Sequence, residues 1–449
     1  MDSTSSFRRR PWLLWDVLEE HLDEAAFFWG QRALALRSPD YVLSELEEGE
    51  EGRLRAHLDG LSLGGEPVAR RLLAPALASD EPQRVAAAAW ALLARREEDG
   101  LRTVRARLTE APESRTGLLR ALELGERQDL DARLLSLCQS VEPELRAPLL
   151  EVLAFRRVDA SAALAQFPPQ TDAPDLLVAA LRAARASPRA VAEPWLHLGL
   201  RDSRPEVRNA AIEVGLIHGS REAWAVCHRC VRTSAPKSRP ALLALAMGGS
   251  VADLQRLIER VSDQALRSEA LWALGFSGRQ AAAEAALSAA QLHREPLAAL
   301  AFAFITGLPL EGVLEAAAPE SEASGEAGEE VVPEPLAARC VLPAPPRLGP
   351  VRPRVDRMMA WWDQQRERFD STRRYWHGSP WTVEALLASL HEAPLSVRPM
   401  LAWELAIRSH GACRLEPESW GRQQRHQLRA ASKLRVEPMT RTFEGWMTS

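Results

Sequence analysis

The stretch DSRPEVRNAAIEVGLIHG, Asp202–Gly219, decides the fold. Pro205 suits the first turn of a helix, where its missing N–H costs nothing and its φ is already set. Ala210, Ala211 and Val214 follow at mutual offsets of one, three and four residues, so they share one helix face. The pattern recurs along the chain. Pro82, Pro112, Pro143, Pro174, Pro205 and Pro236 are separated by 30, 31, 31, 31 and 31 residues, and Ala265 and Pro296 continue the series. The apolar positions keep register, as Ala179, Ala180 and Ala183, then Ala241, Leu242 and Leu245, then Ala270, Leu271 and Leu274, then Ala301, Phe302 and Ile305.

A fixed period of this size is the mark of a stacked repeat. Thirty-one residues hold two antiparallel helices of about 10–13 residues and a tight turn. One hairpin cannot bury its apolar stripe alone, and stacking about eight of them makes a continuous core. Alanines such as Ala86–Ala89 let neighbouring helices approach closely. Asp80, Glu142, Asp172 and Asp202, just upstream of the prolines, predict turns and capped helix starts. The expected fold is an all-α solenoid of about eight 31-residue hairpins with a C-terminal helical block.

Composition narrows the function classes. The chain has 449 residues, is 46% hydrophobic and 26% charged, and carries a net charge of −5, which argues against wholesale disorder and against a dedicated nucleic-acid binder. Five cysteines cannot form a disulfide scaffold. The apolar stretch after Arg8–Arg10 stops at Trp15, too short for a secretion signal. The longest uncharged apolar run, Pro296–Leu310, is shorter than a membrane span. The cytoplasm is the expected location.

Charge divides the chain into about −6 for residues 1–65, +2 for 66–310, −7 for 311–346 and +6 for 347–449. The expected domains are an N-terminal helical cap (1–65), the repeat array (66–310), an acidic, Pro-rich linker (311–356) and a C-terminal helical block (357–449). An acidic linker beside a basic block suggests contact between them. Within the last block, Val397-Arg398 and the apolar residues after it parallel Val207-Arg208, predicting one more helical pair.

Pro205, Val207, Arg208 and Ala211 match the x-P-x-V-R-x-x-A pattern of short HEAT-like repeats, which the array resembles. The ends carry a narrower resemblance. HLDEAAFFWGQRALALRSPDY and EEGRLRAHLDGL near the start, with WWDQQRERFDSTRRYWHGSP, RPMLAWELAIRSHG and WGRQQRHQL near the end, resemble an uncharacterised proteobacterial HEAT-like family. Trp376 stands where that family tends to have leucine. The family is often found near type VI secretion components, which implies a role in secretion or effector handling.

Six aromatics, Trp361, Trp362, Phe369, Tyr375, Trp376 and Trp381, lie within 21 residues. They suit either of two roles: sealing the open end of the last repeat, or forming a protein-binding surface rimmed by arginines. The candidate protein-binding residues are Trp361, Trp362, Arg373, Arg374, Tyr375, Trp376, Trp381, Arg422, Arg425 and Arg429.

No catalytic, cofactor or metal residues are assigned. Cys227-His228-Arg229-Cys230 lacks the second ligand pair of a zinc site and the strand of a redox motif. His377, His410 and Cys413 have no frame for nucleophilic catalysis. His391-Glu392 is the sole His-Glu dipeptide, where iron-holding HEAT-like enzymes have several, and Gly64-Gly65 and Gly248-Gly249 do not open a phosphate loop. Arg201, Arg204, Arg208, Arg232, Lys237 and Arg239 cluster near successive turns, and they support the alternative of a nucleic-acid-binding, glycosylase-like protein. The favoured expectation is a non-catalytic protein-binding scaffold, an adaptor, escort or immunity-type protein whose partner is a secretion component or effector. No cofactor is expected.

Overall fold

The structure, a computed structural model, describes residues 13–95, 97–166, 169, 172–317, 342–434, 439 and 442–447. The fold is all-α and repetitive, with a few short strands. Two compact units divide it, Met1–Leu36 with Ser44–Leu130, and Arg37–Leu43 with Asp131–Ser449. No helix among the described residues is long and apolar enough to cross a membrane.

The first unit contains α1 (Trp15–Ala35), α2 (Glu50–Leu63), α3 (Pro82–Ala94), α4 (Glu98–Glu110) and α5 (Arg115–Leu124). α1 and α2 pack on each other and on α3, and α3 packs on α5. Arg32 of α1 and Glu51 of α2 form a buried ion pair of 2.8 Å between these helices. The indole Nε1 of Trp90 donates to the carbonyl of Leu124, the last residue of α5, at 3.0 Å.

In the second unit, α6 (Leu130–Ser140) starts at the division. It is followed by α7 (Pro143–Phe155), α8 (Pro174–Ala184), α9 (Arg189–Arg201), α10 (Pro205–Ile217), α11 (Arg221–Arg232), α12 (Arg239–Gly248), α13 (Val251–Arg260), α14 (Arg267–Ser277), α15 (Gln280–His293) and α16 (Pro296–Thr306). The first helices of successive repeats, α7, α8, α10, α12, α14 and α16, stack in a row, each on the next. Every repeat position named above from Ala179 to Ile305 is buried.

Proline opens α3, α7, α8, α10 and α16 as predicted. The other repeats depart from the pattern for local reasons. Pro112 begins a 3-10 turn before α5. Pro236 lies in a turn closed by the Ser238 hydroxyl on the Ala235 carbonyl at 2.6 Å, and Pro240 takes the helix start instead. Ala265 is held by the Asp263 carboxylate, so α14 begins at Arg267. The predicted acidic caps are a correction. No side chain caps α3, α7, α8 or α10, and Asp202 instead binds the Arg204 amide and guanidinium. Serine caps appear on the second helices, at Ser220 of α11 and in a Ser250–Asp253 capping box on α13.

After α16, β1 (Leu314–Ala316) pairs antiparallel with β2 (Val351–Pro353). Arg352 and Arg354 bind Glu315 across this ribbon at 2.7 and 3.2 Å, so both ends of the acidic segment are joined. Glu315 of the acidic 311–346 block thus meets the basic 347–449 block here, while residues 318–341, with the rest of the expected contact, lie outside the described residues. α17 (Val355–Gln365) then packs on α15.

The C-terminal pair, α18 (Val383–Glu392) and α19 (Arg398–Arg408), is present, but it does not extend the stack as another repeat. α19 packs on α10 and α12, far back in the row. Its burial on nearly every side is the physical reason: Met400 to Arg408 are all inaccessible, so it needs neighbours on several faces. α20 (Gly421–Ala431) lies against α18. The strap Arg37–Leu43 joins this region through Leu395 N–H to Tyr41 O at 2.8 Å and Ser396 N–H to Ser38 O at 3.3 Å.

Candidate functional site: the C-terminal arm along the helix ends

The last carbonyls of any helix have no partner within it and need donors from elsewhere. In the second unit the C-terminal arm supplies donors along the first helices of successive repeats. Arg374 donates to Phe276 O and Ser277 O at the end of α14, both at 3.0 Å. A short β3 (Tyr375–Trp376), paired with β4 (Ser379–Pro380), docks its backbone on the same edge. Tyr375 N–H reaches Gly278 O at 2.7 Å, His377 N–H reaches Phe304 O at 2.7 Å, and Gly378 N–H reaches Ile305 O at 3.0 Å.

Two glycines make this approach feasible. Gly278 and Gly307 end α14 and α16 in the left-handed region, with φ of +65° and +77°. A Cβ at either would lie 2.3 Å from Tyr375 O or 2.5 Å from His377 O.

The arm then runs back toward earlier repeats. Trp403 donates to Glu213 O in α10 at 3.3 Å, and Arg408 to Met247 O in α12 at 3.4 Å. The His410 ring lies against Gly219, after α10. Arg157, after α7, binds Leu415 O at 3.1 Å and the Glu416 carboxylate at 2.7 Å. Cationic side chains at helix C-termini also match the negative end of the helix dipole.

The candidate residues divide on this arm. Trp376 stacks on Phe276 and leans on Phe304, with ring centroids 5.8 and 5.4 Å away. Trp361 and Trp362 meet Phe302 edge-on, and Tyr375 packs against Phe369 at 4.8 Å. Trp362, Tyr375 and Trp376 are buried, and Trp361 and Trp381 half-buried. Trp381 has two guanidinium groups near its ring, that of Arg374 at 4.6 Å and that of Arg408 at 4.4 Å from the centroid. Arg374 is an internal ligand of Glu404, so these residues seal α14 and α16. Arg373, Arg422 and Arg429 stay exposed and Arg425 half-exposed. The last three share one side of α20 but are not brought to the aromatic cluster.

Glu404 is the electrostatic centre. Burial works to raise its pKa, yet Arg374 and Arg408 together hold it below the ordinary carboxyl range. Burial pushes Arg408 down to about 10 against the pull of Glu404. A second buried carboxyl, Glu213, is pushed up to about 7 by burial, with Arg182, Arg185 and Arg239 opposing. Sequence reasoning assigned no role to Arg157, Glu213, Arg408 or Glu416. The available signal was the pair Glu404 and Arg408, one helical turn apart in the otherwise apolar run PMLAWELAIR.

The remaining motifs have structural places. Cys227 and Cys230 are buried in α11, and burial pushes the Cys227 thiol well up. Among the described residues, no group of three or more His, Cys, Asp or Glu side chains is placed to hold a metal ion. The basic ridge is paired with acids at several points, Arg204 to Asp202, Lys237 to Glu206, Arg239 to Glu269 and Arg201 to Glu222.

No family model and no curated protein matches the chain. A crystal structure of an engineered protein is similar at 16% identity over 62% of this chain and 87% of that one, with a TM-score of 0.27. A likeness that weak adds nothing to the fold already described.

Proposed function

We propose that the chain is a non-catalytic protein-binding scaffold, acting in the cytoplasm, whose C-terminal arm braces the repeats while α20 offers the contact surface. The observation carrying this reading is the division of the candidate residues. The aromatic half is consumed by internal packing, whereas Arg422 and Arg429 remain exposed on one side of a single helix. Arginine is an effective interface anchor, through bidentate pairing with carboxylates and stacking on aromatics. A braced array also presents its surface with little ordering cost on binding.

The resemblance of the chain's ends makes a type VI secretion component or effector the partner to test first. Affinity purification of the full chain from its native cells, with mass spectrometry, is the experiment, run beside Arg422→Glu/Arg429→Glu. A stoichiometric protein recovered by the parent and lost with the double variant supports the reading. Recovery of nucleic acid without protein overturns it.

A further inference from the structure

One side of α20 is packed and the other is cationic. Gln424, Leu428 and Ala431 are buried. Gln424 Nε2 donates to Pro417 O at 2.8 Å and to Ser419 O at 2.6 Å, and its Oε1 accepts from the buried Arg398. These bonds fix the rotation of the helix, so its outward side chains stay outward. On that side Arg422, His426 and Arg429 are exposed at i, i+4 and i+7, one line along the helix, and exposed Lys433 follows in the turn after it. No aspartate or glutamate lies between Gly421 and Leu434.

Among the described residues, His426, Arg429 and Lys433 have no ion-pair partner. The basic ridge of the array differs, because Arg201, Arg204, Lys237 and Arg239 each have an acid of their own. Burial first, and then the charges of Arg398, Arg425 and Arg429 with Glu392 opposing, hold His391 at the end of α18 below its ordinary pKa. The positive field of α20 therefore reaches the neighbouring helix. An exposed charge with no partner in the chain attracts an opposite charge without first breaking an existing pair. Steps of four and three residues along α20 rise about 6 and 4.5 Å, close to the pitch of one turn on a facing helix. Carboxylates at i, i+4 and i+7 of such a helix meet the three side chains in register. Nucleic acid fits less well, since the line is short and α20 has no Trp, Tyr or Phe on which a base could stack.

We infer that α20 takes an acidic helix of a partner protein, with carboxylates at i, i+4 and i+7 set against Arg422, His426 and Arg429. The inference rests on the scaffold reading and adds the chemistry of the partner to it.

Fluorescence anisotropy with the full chain at low salt tests this. The probe is a labelled, alanine-rich helical peptide of about 18 residues with glutamates at i, i+4 and i+7. The parent should bind it more tightly than a peptide of the same composition whose glutamates are spread around the helix. Arg422→Glu/Arg429→Glu should weaken binding by about 10-fold or more. A peptide with lysines in place of the glutamates should then bind the double variant and not the parent. Circular dichroism checks that the variant remains folded. Three outcomes overturn the inference: no binding by the parent, equal affinity in parent and double variant, or a DNA duplex held more tightly than the peptide. A cellular protein that the same double variant loses would, beside any of these, keep the scaffold reading and remove only the acidic helix.

Discussion

Arg374 and Glu404 form a two-pronged ion pair, with Nη1 to Oε1 at 2.7 Å and Nη2 to Oε2 at 3.4 Å, while the same guanidinium binds the last carbonyls of α14. One side chain therefore ties the arm to itself and to the array. The Glu404 side chain is 2% exposed and that of Arg374 11%, so the pair is desolvated. Breaking such a pair from one side leaves a buried charge with part of its compensation gone.

Arg374→Ala should destabilise the second unit by about 3–5 kcal/mol. Removing both charges as Arg374→Met/Glu404→Leu should cost less than that single change, because no orphaned carboxylate remains. Urea denaturation of the parent and the two variants gives the comparison. Equal losses in both variants would mean that the charges contribute only through packing.

The glycine ends give an independent handle. Gly278→Ala imposes left-handed strain of about 1–2 kcal/mol and pushes a methyl group onto the Tyr375 carbonyl. It should lower the melting temperature and expose the 357–449 block to limited proteolysis. Gly349→Ala is the control, since nothing lies within 4 Å of its added Cβ.

Glu213 makes stability depend on pH. Its pKa rises from an ordinary value of 4.5 to about 7 on burial, so the folded chain holds a proton that the unfolded chain releases. The stabilisation is complete below about pH 4.5 and is lost as pH climbs through 7, at about 1.4 kcal/mol per pH unit. Glu213→Gln should therefore flatten the fall in urea midpoint between pH 5 and 8. Parallel curves for parent and variant would assign the dependence elsewhere.

Much of the array was legible because its signals are local. A proline fixes its own φ, and alanine and leucine at helical spacing define a face whatever lies opposite. The arm was not legible for the converse reason. RPMLAWELAIR has the local pattern of a repeat helix, and that pattern cannot say which row will cover it. Glu404 and Arg408 have the spacing of a solvated surface pair, and only the approach of Arg374 and Met247 puts them inside. The carbonyls that Arg374, Tyr375 and His377 satisfy belong to helices about 70–100 residues away, a relation no repeat period encodes. The aromatic cluster was visible as aromatic, but its use as a seal depended on Phe276, Phe302 and Phe304 ending up beneath it.

Hydrogen exchange of the full chain, read by mass spectrometry with resolution over residues 374–416, tests the arm most directly. The amides of Tyr375, His377, Gly378 and α19 should be protected to the same degree as those of α14 and α16. Arg374→Ala should release the 375–378 amides first. Exchange of these amides within seconds in the parent, with α14 and α16 still protected, would contradict the brace.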